Sequence, residues 1–170
     1  MEAQPAFADL FRSHAPFVCR CLRRLGLSPA DADDVCQEVF LVVHRKLGTF
    51  EGPSMRAWIY GICVRKASDF RKLAHKKRER VSAELPEPEG RVDSAETSLE
   101  NRRALAKLDR ALAALDEDKR AAFILYEIEG LSLQEVASAC ECPLQTVYSR
   151  LASARRNVEH ALSQGQEELR

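Results

Sequence analysis

Apolar residues recur at helical spacing along nearly the whole chain, each run bounded by start and stop signals. No stretch alternates as a half-buried strand would, so the pattern predicts an all-α fold. Phe7, Leu10 and Phe11 form one stripe before Pro16. Phe17, Val18, Cys21, Leu22 and Leu25 form the next, which Gly26 ends. Ser28-Pro-Ala-Asp31 is a start signal: Ser28 can cap, Pro29 suits the first helical position, and acids complement the helix dipole. Val35, Val39, Val42, Val43 and Leu47 carry that helix to Gly48. Ser54 opens a third helix through Met55, Trp58, Ile59, Ile62, Phe70 and Leu73. Later, Leu99, Leu105, Leu108, Leu112 and Leu115 share a face, and a shorter helix from about Asp118 stops at Gly130. Ser132-Leu-Gln-Glu135 then reads as a capping box. A tight break at Glu141-Cys-Pro143 leads into a long last helix, and short helix, turn, longer helix is a helix-turn-helix pattern.

Between the two helical regions lies Ala83 to Ser94, which has no periodicity and contains Pro86, Pro88 and Gly90. It reads as an extended acidic linker. The expected organisation is an N-terminal domain over 1–80, a flexible linker over 81–98 and a C-terminal domain over 99–170.

Charge sharpens this division. The 170 residues hold 26 basic and 26 acidic side chains, a balance that disfavours a protein coating nucleic acid by bulk charge. Yet residues 1–82 carry 15 basic and 9 acidic groups, residues 83–100 carry 1 and 6, and residues 101–170 carry 10 and 11. Zero is therefore the sum of a basic region, an acidic strip and a near-neutral region. Apolar runs are too short to span a bilayer, and Met1 to Asp9 has no signal-peptide character. A cytoplasmic protein without membrane insertion is expected. The six cysteines (Cys19, Cys21, Cys36, Cys63, Cys140 and Cys142) then read as reduced, small apolar residues, with a thiol or metal sensor at Cys140 and Cys142 as a rival.

Three side-chain groups carry function. From Cys142 to Val158 there is no acidic residue. Val147, Leu151 and Ala154 would face inward. Gln145, Thr146, Tyr148, Ser149, Arg150, Arg155 and Arg156 would then face a DNA groove, where Gln and Arg read base edges and hydroxyls bond phosphates. From Arg65 to Arg80, eight basic residues stand against Asp69 and Glu79, downstream of Trp58 and Tyr60. Basic charge beside aromatics suits single-stranded nucleic acid, although Trp58 and Phe70 read better as core. Asp31, Asp33, Asp34, Gln37 and Glu38 crowd one helix start, and Asp34 and Glu38 share a face. No His accompanies them, so this is a docking surface or a capped helix rather than a catalytic pair. No catalytic group, metal-ligand set or cofactor is expected, and the chain does not read as an enzyme.

The blocks Asp31-Ala-Asp-Asp-Val-Cys-Gln-Glu-Val-Phe40, Arg56-Ala-Trp-Ile-Tyr-Gly-Ile62, Leu131-Ser-Leu-Gln-Glu-Val-Ala137 and Thr146-Val-Tyr-Ser-Arg-Leu151 together resemble the extracytoplasmic-function (ECF) sigma factors of bacteria. The resemblance covers about 7–80 and 99–162. It implies a factor that binds core RNA polymerase, at the beta-prime clamp and the beta subunit, and directs promoter-specific initiation. Asp33, Asp34, Gln37 and Glu38 would dock on the clamp. Phe50, Arg56, Tyr60, Arg65, Lys66, Arg71 and Lys72 would open promoter DNA and hold the minus-ten strand. Gln145, Thr146, Tyr148, Ser149, Arg150, Arg155 and Arg156 would read the minus-thirty-five element, and the acidic linker would thread the polymerase cleft. An anti-sigma partner is also implied. Two departures stand out: Glu141 where the family commonly has Gly, and Tyr148 where a basic residue is frequent. The rival for the helix-turn-helix is a stand-alone dimeric regulator, which would bind palindromic sites.

Overall fold

The structure is a computed structural model that describes residues 6–80 and 99–167. The expected linker over 81–98 lies outside the described residues. Among these, every regular element is helical. The N-terminal helices are α1 (Phe7–Arg24), α2 (Pro29–Lys46), followed by a short 3-10 turn (Leu47–Thr49), and α3 (Met55–Arg80). The C-terminal helices are α4 (Leu99–Ala113), α5 (Glu117–Phe123), which runs into a π-helical turn (Ile124–Ile128), α6 (Leu133–Ala139) and α7 (Leu144–Glu167).

Local chemistry sets most boundaries. The Ser28 hydroxyl accepts from the Asp31 amide at 3.2 Å, with Pro29 in the first turn. The Ser132 hydroxyl accepts from the Glu135 amide at 3.3 Å, and the Glu135 carboxylate accepts from the Ser132 amide at 2.8 Å. These two bonds form the predicted capping box and satisfy amides with no partner inside the helix. At the end of α1, Gly26 has φ +100°. Its amide donates to the Arg23 carbonyl, and the Leu27 amide reaches the Leu22 carbonyl. That is a Schellman stop, in which glycine takes the left-handed conformation without a Cβ penalty.

Pro16 does not divide the first helix as the two sequence stripes suggest. One helix runs through it. Pro16 has no amide to donate and costs about 3 kcal/mol in a helix interior. Tertiary packing on both sides outweighs this. Before Pro16, Phe7 and Phe11 lie edge-on to Phe40 of α2 at 6.4 and 4.7 Å, and Leu10 is buried. After it, Phe17, Val18, Cys21 and Leu22 are buried.

The N-terminal helices pack α1 and α2 against α3, and the C-terminal helices pack α4, α5 and α6 against α7. Instead of two separate cores, one continuous set of buried residues runs from Leu10 to Val158. The bridge is α3 against α6. Gly61 permits it: a Cβ there would stand 3.1 Å from the Ala139 carbonyl oxygen.

The turn between α6 and α7 contains the one described non-glycine residue with positive φ, Glu141 at 50°. Its amide bonds the Ser138 carbonyl, and the Cys142 amide bonds the Ala137 carbonyl, again a Schellman arrangement. The departure from glycine noted in the sequence thus falls where glycine is favoured. The left-handed conformation costs a residue with a Cβ about 1 kcal/mol. The Glu141 carboxylate pairs with Arg65, but both side chains are about half exposed or more, so the pair contributes about 0–1 kcal/mol. Glu141→Gly should therefore leave the melting temperature unchanged or raise it slightly. A clear fall in a thermal melt would contradict this.

Candidate nucleic-acid and polymerase interface

The acidic group on α2 is a surface. Asp33, Asp34, Gln37 and Glu38 are all exposed, while Ala32, Val35, Cys36 and Val39 are buried beneath them. Asp33 lies 3.8 Å from Arg23, and Glu38 pairs with Lys66 at 2.8 Å. Leu41 stands 57% exposed one turn beyond Glu38, seven residues after Asp34, and so extends the same face. The sequence reading passed over Leu41. The available signal was a leucine off the Val35–Val39–Val43 stripe.

The seven residues expected to hold the minus-ten strand do not share one environment. Phe50 stacks on Trp58 with ring centres 4.9 Å apart, and Lys72 is exposed. Lys66 is held by Glu38. The other four face the C-terminal helices. Tyr60 is fully buried, and its hydroxyl donates to Glu129 at 2.5 Å. Burial, then this bond, pushes its pKa far above the ordinary tyrosine value, so the phenol stays protonated. Arg56 donates to the Glu129 backbone carbonyl and lies 3.7 Å from its carboxylate. Its guanidinium also sits 5.7 Å from the Tyr60 ring centre. Arg65 pairs with Glu141. Arg71 lies 2.6 Å from Glu117 and donates to the Leu25 carbonyl.

Glu129 is the centre of this contact and was not singled out in the sequence. Its side chain is 9% exposed, and Arg24 adds a third partner at 3.2 Å. The π-helical turn positions it: the Glu129 amide bonds the Ile124 carbonyl five residues back, and Gly130 at φ +69° then ends the helix. Arg120 makes a second junction, donating to the carbonyls of Ala113, Leu115 and Leu25. A carboxylate or guanidinium held this far from water needs such partners, because burial without them is costly.

The α7 expectations divide as well. Val147, Leu151, Ala154 and Val158 are buried, as the spacing predicts. Gln145, Ser149 and Arg156 are exposed at positions four and seven apart, so they form one line opposite the buried stripe. Tyr148 flanks that line at 49% exposure, and Thr146 is half-buried. Arg150 lies to the side: it pairs with Asp118 and donates to the Cys142 sulfur at 3.3 Å. Arg155 pairs with Glu127 at 2.6 Å and lies over Tyr126.

Cys21, Cys36 and Cys63 are buried, and all six cysteines are free. Burial pushes the Cys36 and Cys140 thiols up to about 12, so both stay protonated and poorly nucleophilic at neutral pH. No metal-type cluster occurs among the described residues. No described helix is long and apolar enough to cross a membrane.

Comparison with known proteins agrees with this geometry. Residues 10–78 match the Sigma-70 region 2 family and residues 105–158 match Sigma-70, region 4. The chain is 32% identical over 165 residues to the ECF RNA polymerase sigma factor SigE of Mycolicibacterium smegmatis, covering 95% of this chain and 63% of that relative. It is 34% identical to the RNA polymerase sigma-H factor of Pseudomonas aeruginosa over 78% of this chain and 73% of the relative. It is 31% identical to the ECF RNA polymerase sigma-E factor of Escherichia coli over 76% and 73%. Among solved structures, the sigma factor RpoE in complex with the anti-sigma factor NepR from Bartonella quintana superposes with a TM-score of 0.80 at 23% identity, over 92% of this chain and 96% of that one. CnrH in complex with the cytosolic domain of CnrY gives 0.69 at 25%, over 95% and 90%. Region 2 and region 4 in this order, on a fold of this kind and with relatives of this similarity, place the chain in the ECF sigma factor family of RNA polymerase.

Proposed function

We propose that the chain binds core RNA polymerase and directs it to promoters, with region 2 and region 4 acting as the two domains expected from the sequence. The observation that carries this reading is a pair of exposed faces on one buried scaffold: the Asp34–Glu38–Leu41 face of α2 and the Gln145–Ser149–Arg156 line of α7. The first fits a protein partner, because it combines charge with an apolar anchor. Its partner is the beta-prime clamp. The second fits the major groove, where a helix of a helix-turn-helix reads base edges. Phe50, Arg56, Tyr60, Arg65, Lys66, Arg71 and Lys72 engage the minus-ten strand after melting. Strand opening is then driven by binding energy for unstacked bases, and the chain itself catalyses nothing. The acidic 81–98 stretch occupies a basic polymerase channel. Solved relatives in complex with anti-sigma factors support a partner of that kind here, and the site of action is the cytoplasm. The stand-alone dimeric regulator does not account for a region 2 match over residues 10–78.

In vitro transcription with core polymerase and a promoter library tests the proposal. The chain should produce transcripts from a defined promoter subset, and the double charge reversal Asp34→Lys with Glu38→Lys should abolish them while circular dichroism stays unchanged. No transcript above core polymerase alone would overturn the function. Unaltered transcription by the reversed variant would remove the docking face.

The division on α7 predicts a measurable asymmetry. Arg156→Ala should lower the slope of log affinity against log salt for promoter DNA by about 1, as expected for one lost phosphate contact. Arg155→Ala should change it less, since Glu127 already neutralises that guanidinium. Equal slopes for wild type and Arg156→Ala would place Arg156 off the DNA.

A further inference from the structure

Four of the seven strand-binding candidates are turned toward the C-terminal helices, and the group they meet is itself an anion. Glu129 receives Arg24 at 3.2 Å, Arg56 at 3.7 Å and the Tyr60 hydroxyl at 2.5 Å. All three partners come from α1 and α3, whereas Glu129 follows the π-helical turn after α5. Two guanidiniums and a phenol converging on one carboxylate oxygen pair are also the donors that would hold a phosphodiester oxygen. Phe17 and Tyr60 back this cluster with ring centres 4.0 Å apart, which adds an aromatic wall.

We propose that Arg24, Arg56 and Tyr60 form a phosphate-binding site for single-stranded DNA, and that Glu129 fills it as an internal ligand that keeps the two regions closed. The inference rests on the sigma reading above for its choice of nucleic acid. Closure also brings α6 onto Gly61 and joins Arg65 to Glu141 and Arg71 to Glu117. In the closed chain the strand must displace a carboxylate before it can bind. Glu129 loses three donors on opening and regains water. The site gains a ligand that carries its own negative charge. Closed chain and bound strand thus exclude each other, and by linkage whatever weakens closure must strengthen strand binding by the same factor. Arg24 joins the strand-binding set on this argument. It lies on α1, outside the basic run from which the sequence reading drew its residues.

Two variants act on closure from opposite sides. Glu129→Gln keeps the side-chain shape and one acceptor but removes the charge. Gly61→Leu places a Cβ 3.1 Å from the Ala139 carbonyl oxygen and 3.3 Å from its Cα, with three further carbons beyond it, more than a local shift of a few tenths of an ångström can absorb, so α6 and α3 cannot keep this contact. Leucine is also a better helix former than glycine, so α3 itself is strengthened. The full-length chain is measured by small-angle X-ray scattering and by anisotropy with a dye-labelled single-stranded oligonucleotide. Both variants should show a larger radius of gyration than wild type, and single-strand affinity should rise about fivefold or more. Arg24→Ala in the Glu129→Gln background should cancel that gain. Unchanged scattering and unchanged affinity in both variants would overturn the proposal, as would opening with no gain in affinity. If Glu129→Gln does not fold, Gly61→Leu alone decides. Wild-type transcription with core polymerase is run in parallel. Its failure would overturn the sigma reading, while the scattering and anisotropy results would still decide whether Glu129 occupies an anion site.

Discussion

A carboxylate that is nearly shut off from water, with its partners on the other half of the molecule, governs the arrangement of this chain. Glu129 is 9% exposed on its side chain and is held by Arg24, Arg56 and Tyr60. Removing one partner of such a group is strongly destabilising, because the remaining charge stays desolvated. The exposed pairs around it, such as Arg65 with Glu141, are weak by comparison. The close approach of α3 and α6 at Gly61 belongs to the same contact: the helices can meet because one of them lacks a side chain there. The electrostatic centre and the steric permission are separate features of the sequence, and closure needs both.

Closure divides the candidate residues into exposed and internally engaged ones. The α2 face with Asp34, Gln37, Glu38 and Leu41 stays open, as does the α7 line with Gln145, Ser149 and Arg156. The residues between them, Arg56, Tyr60, Arg65 and Arg71, are engaged internally. On the proposed reading, an ECF sigma factor built this way would meet polymerase and duplex DNA with its outer faces while the residues proposed to hold the strand are engaged internally. This sharpens the meaning of its zero net charge. Basic groups of region 2 are matched by acids of region 4 across the contact, so neutrality is a property of the folded pairings as well as of the sum.

Much of the fold was legible locally. Ser28, Gly26, Ser132 with Glu135, and the unusual Glu141 each act through atoms a few residues away, and each stands where the sequence placed it. The inward stripe of α7 was legible for the same reason, since helical period fixes which side chains share a face. What failed to show was non-local. Pro16 reads as a boundary until Phe40 and the buried residues after it are brought alongside α1. The π-helical turn has no local signature, yet it sets where Glu129 stands. The partners of the site residues were hidden in the same way: Asp118 and Glu127, about thirty positions upstream, stand beside Arg150 and Arg155 only once the helices are packed.

The chain rests closed and, on the proposal above, acts open. Energy transfer between dyes at Arg20 on α1 and Gln134 on α6, both exposed, measures this directly. Transfer should be efficient in the free full-length chain and should fall markedly when core RNA polymerase is added. Transfer that is unchanged by polymerase, in a preparation active in transcription, would contradict it.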